Sequence, residues 1–353
     1  MDQPTAINNG AQGPFETIRR AQPPRVEIFS TSPESSRVPP ELYRQRLMDV
    51  ARWSEDAGCQ GILVYSDNSL VDPWLLSHLI IQNTTALCPL IAVQPIYMHP
   101  YTVAKMVATF AQLYHRRVYL NMIAGGFKND LLALNDTTPH DERYERLVEY
   151  TMIIKRLLAA PAPVTFEGKF YRTDKLKLTP PLSGDLFPGI FISGSSDAGM
   201  AAARSIAATA IKYPRPPGEE ESVLDCGIDC GVRVGIIARE REAEAWEAAY
   251  REFPEDRKGQ LTRELASKVS DSLWHKQLAQ LDQASERSPY WLVPFQNYKT
   301  MCPYLVGSYG AVAGELARYL RSGYTTFILD IPRSIEDLQH SRIAFDRAIE
   351  ATW

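Results

Sequence analysis

Two short segments hold polar side chains at spacings that could bind an anion. In Phe191-Ile192-Ser193-Gly194-Ser195-Ser196-Asp197, an apolar run breaks at Gly194 into two serines and then into a small-residue stretch with helical character. A strand-to-helix junction of that kind offers unpaired backbone N–H groups and the positive end of a helix dipole, which suits a phosphate. Ordinary helix capping by Ser195 or Ser196 accounts for the same residues and stays open as a reading. In His140-Asp141-Glu142-Arg143-Tyr144, the imidazole and the phenol lie four residues apart and share one helical face. Both can donate hydrogen bonds to a ligand. A helix entered through Thr138-Pro139, with Asp141 and Glu142 complementing its dipole, explains the acids but not the two aromatic donors. Gly125-Gly126 permits close approach of main chain to a planar group, or a plain tight turn.

The elements that must position these residues alternate along the chain. Strand-like runs occur at Val26–Ser30, Gly61–Tyr65, Leu87–Val93, Val118–Ile123, Gly189–Ser193, Ala208–Lys212, Gly231–Arg239 and Thr325–Asp330. Helix-like stretches fall between them at about 40–57, 103–113, 141–159 and 312–322, and 164–178 reads as an extra hairpin. Repeated strand–helix units predict a parallel sheet. Eight of them predict an α/β fold of the TIM type, a (β/α)8 barrel with insertions at its C-terminal face. An open doubly wound sheet would carry a glycine-rich loop after its first strand, and Ser30-Thr31-Ser32-Pro33 is not one. In such a barrel the working groups stand at the C-terminal strand ends. Those ends are Tyr65–Ser69, Gln94-Pro95, Ala124–Phe127 and Ser193–Asp197. Residues 240–304 form the longest stretch read as lacking a strand, and residues 1–24 a loose lead-in.

Composition narrows the function classes. A net charge of −4, from 38 basic and 42 acidic residues, argues against a nucleic-acid binder. No apolar segment approaches the roughly 18 residues of a membrane span. The first residues lack the charged-then-apolar pattern of a secretion signal, so a cytoplasmic protein is expected. Of the five cysteines, only Cys226 and Cys230 are close in sequence, at a spacing that suits a zinc half-site poorly. No metal site is expected, and the five read as ordinary thiols.

Taken together, these residues resemble the alkanesulfonate monooxygenase branch of the bacterial-luciferase-like flavin monooxygenases. The likeness runs from about residue 40 to 345. It is carried by GILVYSDNSLVDPW at 61–74, VYLNMIAGG at 118–126, HDERYE at 140–145, FEGKFY at 166–171, FISGSSDAGMAAA at 191–203, GVRVGIIAREREAEAW at 231–246 and GYTTFILD at 323–330. It implies one barrel domain over 25–353 with an insertion at about 245–305. It also implies reduced FMN (FMNH2) supplied by a separate NAD(P)H:flavin reductase, O2 as co-substrate, a flavin C4a-peroxide as oxidant, a small-molecule substrate, and a homodimer or homotetramer. By the same resemblance, Ser195 and Ser196 would hold the FMN phosphate, with His140 and Tyr144 near the phosphate and ribityl chain. Asn121, Ala124, Gly125 and Gly126 would lie along the flavin, and Asp67 and Gln94 would face its ring. Arg233 would face the reaction, with Gln94 standing where the sulfonatases carry an arginine.

The sequence also departs from that branch. Leu70 replaces an active-site cysteine, Gly235 replaces the histidine of an Arg-x-His pair, and Ile331 replaces a tyrosine. The arginine-bearing mobile loop becomes Phe295–Met301. A buried sulfonate without these partners would be costly, so a larger, less charged substrate is expected. Trp274, Trp291, Phe295, Tyr298 and Tyr304 could line its pocket, although core packing is the commoner use of such residues. The stretch at about 250–300 would then serve as a lid excluding solvent. Two competing readings are a deazaflavin-dependent oxidoreductase on the same barrel and a flavin-binding scaffold without turnover.

Overall fold

The computed structural model describes residues 25–125, 127–159, 162–194, 196–254, 256–257, 259–260 and 288–353. Within them β1 (Glu27–Thr31), α1 (Pro40–Asp56), β2 (Gly61–Val64), α2 (Pro73–Gln82), β3 (Cys88–Val93), α3 (Pro100–Tyr114) and β4 (Tyr119–Met122) alternate without interruption. A short α4 (Lys128–Ala133) and the long α5 (His140–Ala159) lead to a hairpin of β5 (Val164–Glu167) and β6 (Arg172–Leu176). Then come β7 (Gly189–Ser193), α6 (Asp197–Ile206), β8 (Thr209–Lys212), β9 (Cys230–Arg239) and α7 (Glu242–Glu252). After β10 (Tyr290–Trp291) and β11 (Tyr304–Ser308), the helix Tyr309–Arg321, β12 (Tyr324–Leu329) and the helix Ile335–Glu350 complete the chain.

Eight parallel strands close on themselves in the order β9-β12-β1-β2-β3-β4-β7-β8, with β8 pairing back to β9. The expected eight-stranded (β/α)8 barrel therefore forms, and all eight expected strands are in it. Local chemistry starts the helices, including α2, which the sequence reading did not anticipate. Asp72 caps α2 by accepting from the N–H groups of Trp74 and Leu75 at 3.0 and 2.9 Å, and Pro40 and Pro100 occupy first-turn positions that need no donor.

Side chains alternate along each strand, so every second residue points into the barrel. Phe29, Leu63, Cys88, Leu90, Tyr119, Phe191, Ile211 and Ile328 form one buried cluster there. The rings of Phe29, Tyr119 and Phe191 meet edge-on at centroid distances of 5.1–5.6 Å. Glycines make room for them. A Cβ on Gly61 would stand 2.8 Å from the Phe29 ring, and one on Gly189 would stand 2.3 Å from that of Tyr119. The lower barrel is thus a plug of large rings over small residues, which leaves only the upper end for a ligand.

One expectation is corrected. The stretch 240–304 contains a strand, because Tyr290-Trp291 pairs antiparallel with Leu305 and Tyr304. Strand β9 is ten residues long, and its second half leaves the barrel to pair with β11, from Gly235↔Tyr304 to Arg239↔Ser308. A two-residue strand has no periodicity to read, which is why this extension is invisible in sequence. Trp291, Phe295 and Tyr304 are buried here, with Trp291 wedged against Trp246, Tyr250 and Phe253. This part of the expected lid is packed core rather than a detachable flap. Trp274, with residues 261–287 of that stretch, lies outside the described residues, as does the expected lead-in at 1–24. Among the described residues no helix is long and apolar enough to cross a membrane.

Candidate active site

One step beyond the ring plug, the same inward rows become polar. They bring Thr31, Tyr65, Asn121, Ser193, Tyr213, Arg233 and Asp330 to the C-terminal end of the barrel, and Gln94 follows from β3. The serine Oγ of Ser193 donates to Asn121 Oδ1 at 2.9 Å, cross-linking β7 and β4 inside the barrel. Thr31 Oγ1 donates to the Leu329 carbonyl at 2.5 Å and ties β1 to β12.

Arg233 is the centre of this layer. It is only 5% exposed, and its guanidinium carbon sits 4.8 Å from the ring centre of Tyr65 and 6.0 Å from that of Tyr213, within range of cation–π attraction. Its Nη2 approaches Asp330 Oδ1 at 3.7 Å, beyond hydrogen-bond length. Both Nε and Nη2 are buried without a hydrogen-bond partner among the described residues. A buried orphaned donor costs about 1–3 kcal/mol, so an acceptor entering the mouth could recover that cost. Asp330 is held from its other side by Tyr304, whose hydroxyl donates to Oδ2 at 2.8 Å. The Tyr304 ring lies over Gly235, where a Cβ would stand 2.3 Å from the ring. The glycine in Arg233-Val234-Gly235 is therefore required by the tyrosine above it. Burial pushes the hydroxyls of Tyr213 and Tyr304 well up from their ordinary range. Burial also raises the Glu34 carboxyl, against the pull of Arg37 and Arg233.

A second corner lies across the mouth. Tyr144, on the first turns of α5, points at the β7–α6 junction. A Cβ on Gly194 would stand 2.6 Å from its hydroxyl, and one on Gly199 would stand 3.3 Å away. The Ser196 and Tyr144 hydroxyls both stand beside Gly199, and burial raises the tyrosine's pKa against the opposing effect of Ser196. Ser196 also caps α6, its Oγ accepting from Gly199 N at 3.1 Å, so the capping reading is the one observed directly. His140 packs edge-on to Tyr144 at 5.2 Å and pairs its Nδ1 with Asp141 Oδ1 at 2.7 Å. Gly125 has φ +107°, a conformation that favours glycine, and the neighbouring Ala124 is buried. Ser195 and Gly126 lie outside the described residues.

Two expected ring-facing groups are engaged with the protein itself. Asp67 Oδ1 accepts from the N–H and Oγ of Ser69, both at 2.7 Å, closing an Asx turn. Gln94 Nε2 donates to the Ser66 carbonyl at 3.2 Å, and Tyr97, beside it, donates to Asn68 Oδ1 at 2.7 Å. They shape the loop edge of the mouth. Tyr213, Asp330 and Glu34 were not singled out in the sequence, and Tyr304 only as a possible pocket-lining aromatic. Extending the inward rows by two residues from Ile211 and Ile328 would have found the first two. Away from the mouth, just before and at the start of β9, the free thiols of Cys226 and Cys230 lie within hydrogen-bond distance of each other at 3.3 Å.

This closed barrel, with its polar upper layer, finds its relatives readily. The sequence profile of the luciferase-like monooxygenases matches residues 25–326. The chain belongs to the luciferase-like monooxygenase family. A relative within it is the 4-(gamma-L-glutamylamino)butanoyl-(BtrI acyl-carrier protein) monooxygenase BtrO of Niallia circulans. BtrO is 33% identical over 306 residues, which cover 84% of this chain and 89% of BtrO. Solved structures share the luciferase-like fold at lower identity. EDTA monooxygenase (EmoA) from Chelativorans sp. BNC1 superposes with a TM-score of 0.70 at 15% identity over 93% of each chain. An F420-dependent secondary alcohol dehydrogenase in complex with an F420-acetone adduct gives 0.64 at 17% identity, over 92% of this chain and 99% of its own. The chain is accordingly an oxidoreductase of the luciferase-like monooxygenase type.

Proposed function

We propose that this enzyme is a two-component monooxygenase that uses reduced FMN and O2 to oxygenate an organic substrate other than a simple alkanesulfonate. The observation that carries the reading is the pair of corners at one barrel mouth. One is a cradle of the Tyr144 and Ser196 hydroxyls at Gly194, and the other is a buried guanidinium whose Nε and Nη2 lack a hydrogen-bond partner among the described residues. The residues fit the cofactor. Ser195, Ser196 and Tyr144 would hold its phosphate at the α6 N-terminus, where backbone N–H groups and the helix dipole favour an anion. His140 would flank the same end. Ala124, Gly125, Gly126 and Asn121 would let main chain and amide lie along the ring, with Asp67 and Gln94 at the mouth edge. Bound reduced FMN would supply the two electrons that activate O2.

The protein's own part is position and dryness. Arg233, clasped by Tyr65 and Tyr213 deep in the mouth, directs its N–H groups at a reacting or substrate oxygen without reorganising. A separate NAD(P)H:flavin reductase would deliver the reduced cofactor, and we infer a homo-oligomer from the family pattern. BtrO's named substrate, an acyl amide carried on a protein, supplies a candidate substrate class.

Anaerobic titration tests the cofactor. Reduced FMN should bind at least about tenfold more tightly than reduced F420. The reverse order would favour a hydride-transfer enzyme of the kind the alcohol dehydrogenase exemplifies.

A further inference from the structure

The charge arrangement around Arg233 differs from that of an anion pocket. A guanidinium meant for a sulfonate or carboxylate should stand alone or beside other cations. Here Asp330 Oδ1 lies 3.7 Å from Nη2, close enough to match the charge and too far to occupy the N–H. Tyr304 fixes that carboxylate from β11, and the Tyr304 ring can sit there only because residue 235 is glycine. Glu34, nearby, already pairs with Arg37 at 2.5 Å, which leaves Asp330 as the carboxylate matched to Arg233. Tyr65 and Tyr213 cover the guanidinium with ring faces and bring no further charge. The result is a pair of aimed donors with their positive charge already compensated.

We propose that Asp330, positioned by Tyr304, is a specificity-determining residue that tunes Arg233 for a neutral oxygen acceptor, the carbonyl of an amide or thioester, and against an anionic head group. A second negative charge brought beside Asp330 would meet repulsion in a desolvated site, whereas a carbonyl accepts from Nε and Nη2 at no such cost. The inference rests on the oxygenase reading only in placing the substrate at this mouth.

Octanamide and octanesulfonate serve as matched probes, each titrated calorimetrically into the protein with and without FMN. Wild type should bind the amide about tenfold more tightly than the sulfonate, and Asp330→Asn should move that ratio toward the sulfonate by roughly 100-fold. Circular dichroism and a parallel FMN titration establish that the variant is folded and still loads cofactor. Equal or tighter sulfonate binding by wild type overturns the proposal whatever the variant does. An unchanged ratio in folded Asp330→Asn overturns it as well. Failure of FMN to bind wild type would sink the cofactor reading instead, and the ratio measured without flavin would still decide this one.

Discussion

Gly194→Ala is expected to weaken FMN binding by about 10- to 100-fold, the loss of one or two hydrogen bonds to a charged group. The new Cβ would stand 2.6 Å from the Tyr144 hydroxyl, well inside van der Waals contact, so the phenol must swing away from Ser196. Tyr144→Phe removes the hydroxyl without the clash and should cost about tenfold for one such bond. The two changes should not add. Without its hydroxyl the ring presents Cζ, which lies 3.5 Å from that Cβ, an ordinary contact. Gly194→Ala should therefore cost almost nothing further in the Tyr144→Phe background. Equilibrium dialysis or flavin-fluorescence titration of the four proteins decides the matter. Additive losses would mean that Gly194 acts through something other than the tyrosine.

The largest catalytic effect is expected at Arg233. Arg233→Met should lower coupled product formation by about 10²- to 10³-fold, the scale set by removing a preorganised donor from a water-poor site. The same change leaves Asp330 without its buried cation. Breaking such a pair by removing one partner costs on the order of 3–5 kcal/mol. Stability and chemistry can be separated. Arg233→Met combined with Asp330→Asn should recover most of the lost thermal stability, because the orphaned carboxylate is gone. Activity should stay low, because the donors are gone too. FMN affinity should shift less than about threefold in either protein, since the phosphate corner lies across the mouth. Recovery of activity in the double variant would show Arg233 to be a structural counter-charge only.

Much of this was legible in the sequence. Parallel strands buried on both faces read as apolar runs such as Gly61–Tyr65 and Gly189–Ser193, and all eight took their places in the barrel. The junction after Ser193 and the His140–Tyr144 pair are local signals, set by spacing within one element, and the structure brings Tyr144 and Ser196 together as one corner. What could not be read was set by contacts between distant elements. Asp330 and Tyr304 are 26 residues apart and meet only because β9 leaves the barrel to pair with β11. Gly235 looked like the loss of a histidine, yet it is the space a tyrosine from another strand fills. Trp291 and Phe295 carried the right chemistry for a pocket and were spent on the core. Asp67 had the right position at a strand end, but its carboxylate closes its own turn through Ser69.

The central claim is that one mouth of this barrel grips a flavin by its phosphate and offers Arg233 to the chemistry. A crystal structure of the protein soaked with riboflavin 5′-phosphate tests it most directly. The account predicts the phosphate at the start of α6 within hydrogen-bond reach of Ser196 and the Tyr144 hydroxyl, with the ring lying along Gly125 toward Arg233. A flavin bound elsewhere, or a mouth left empty at saturating flavin, would contradict it.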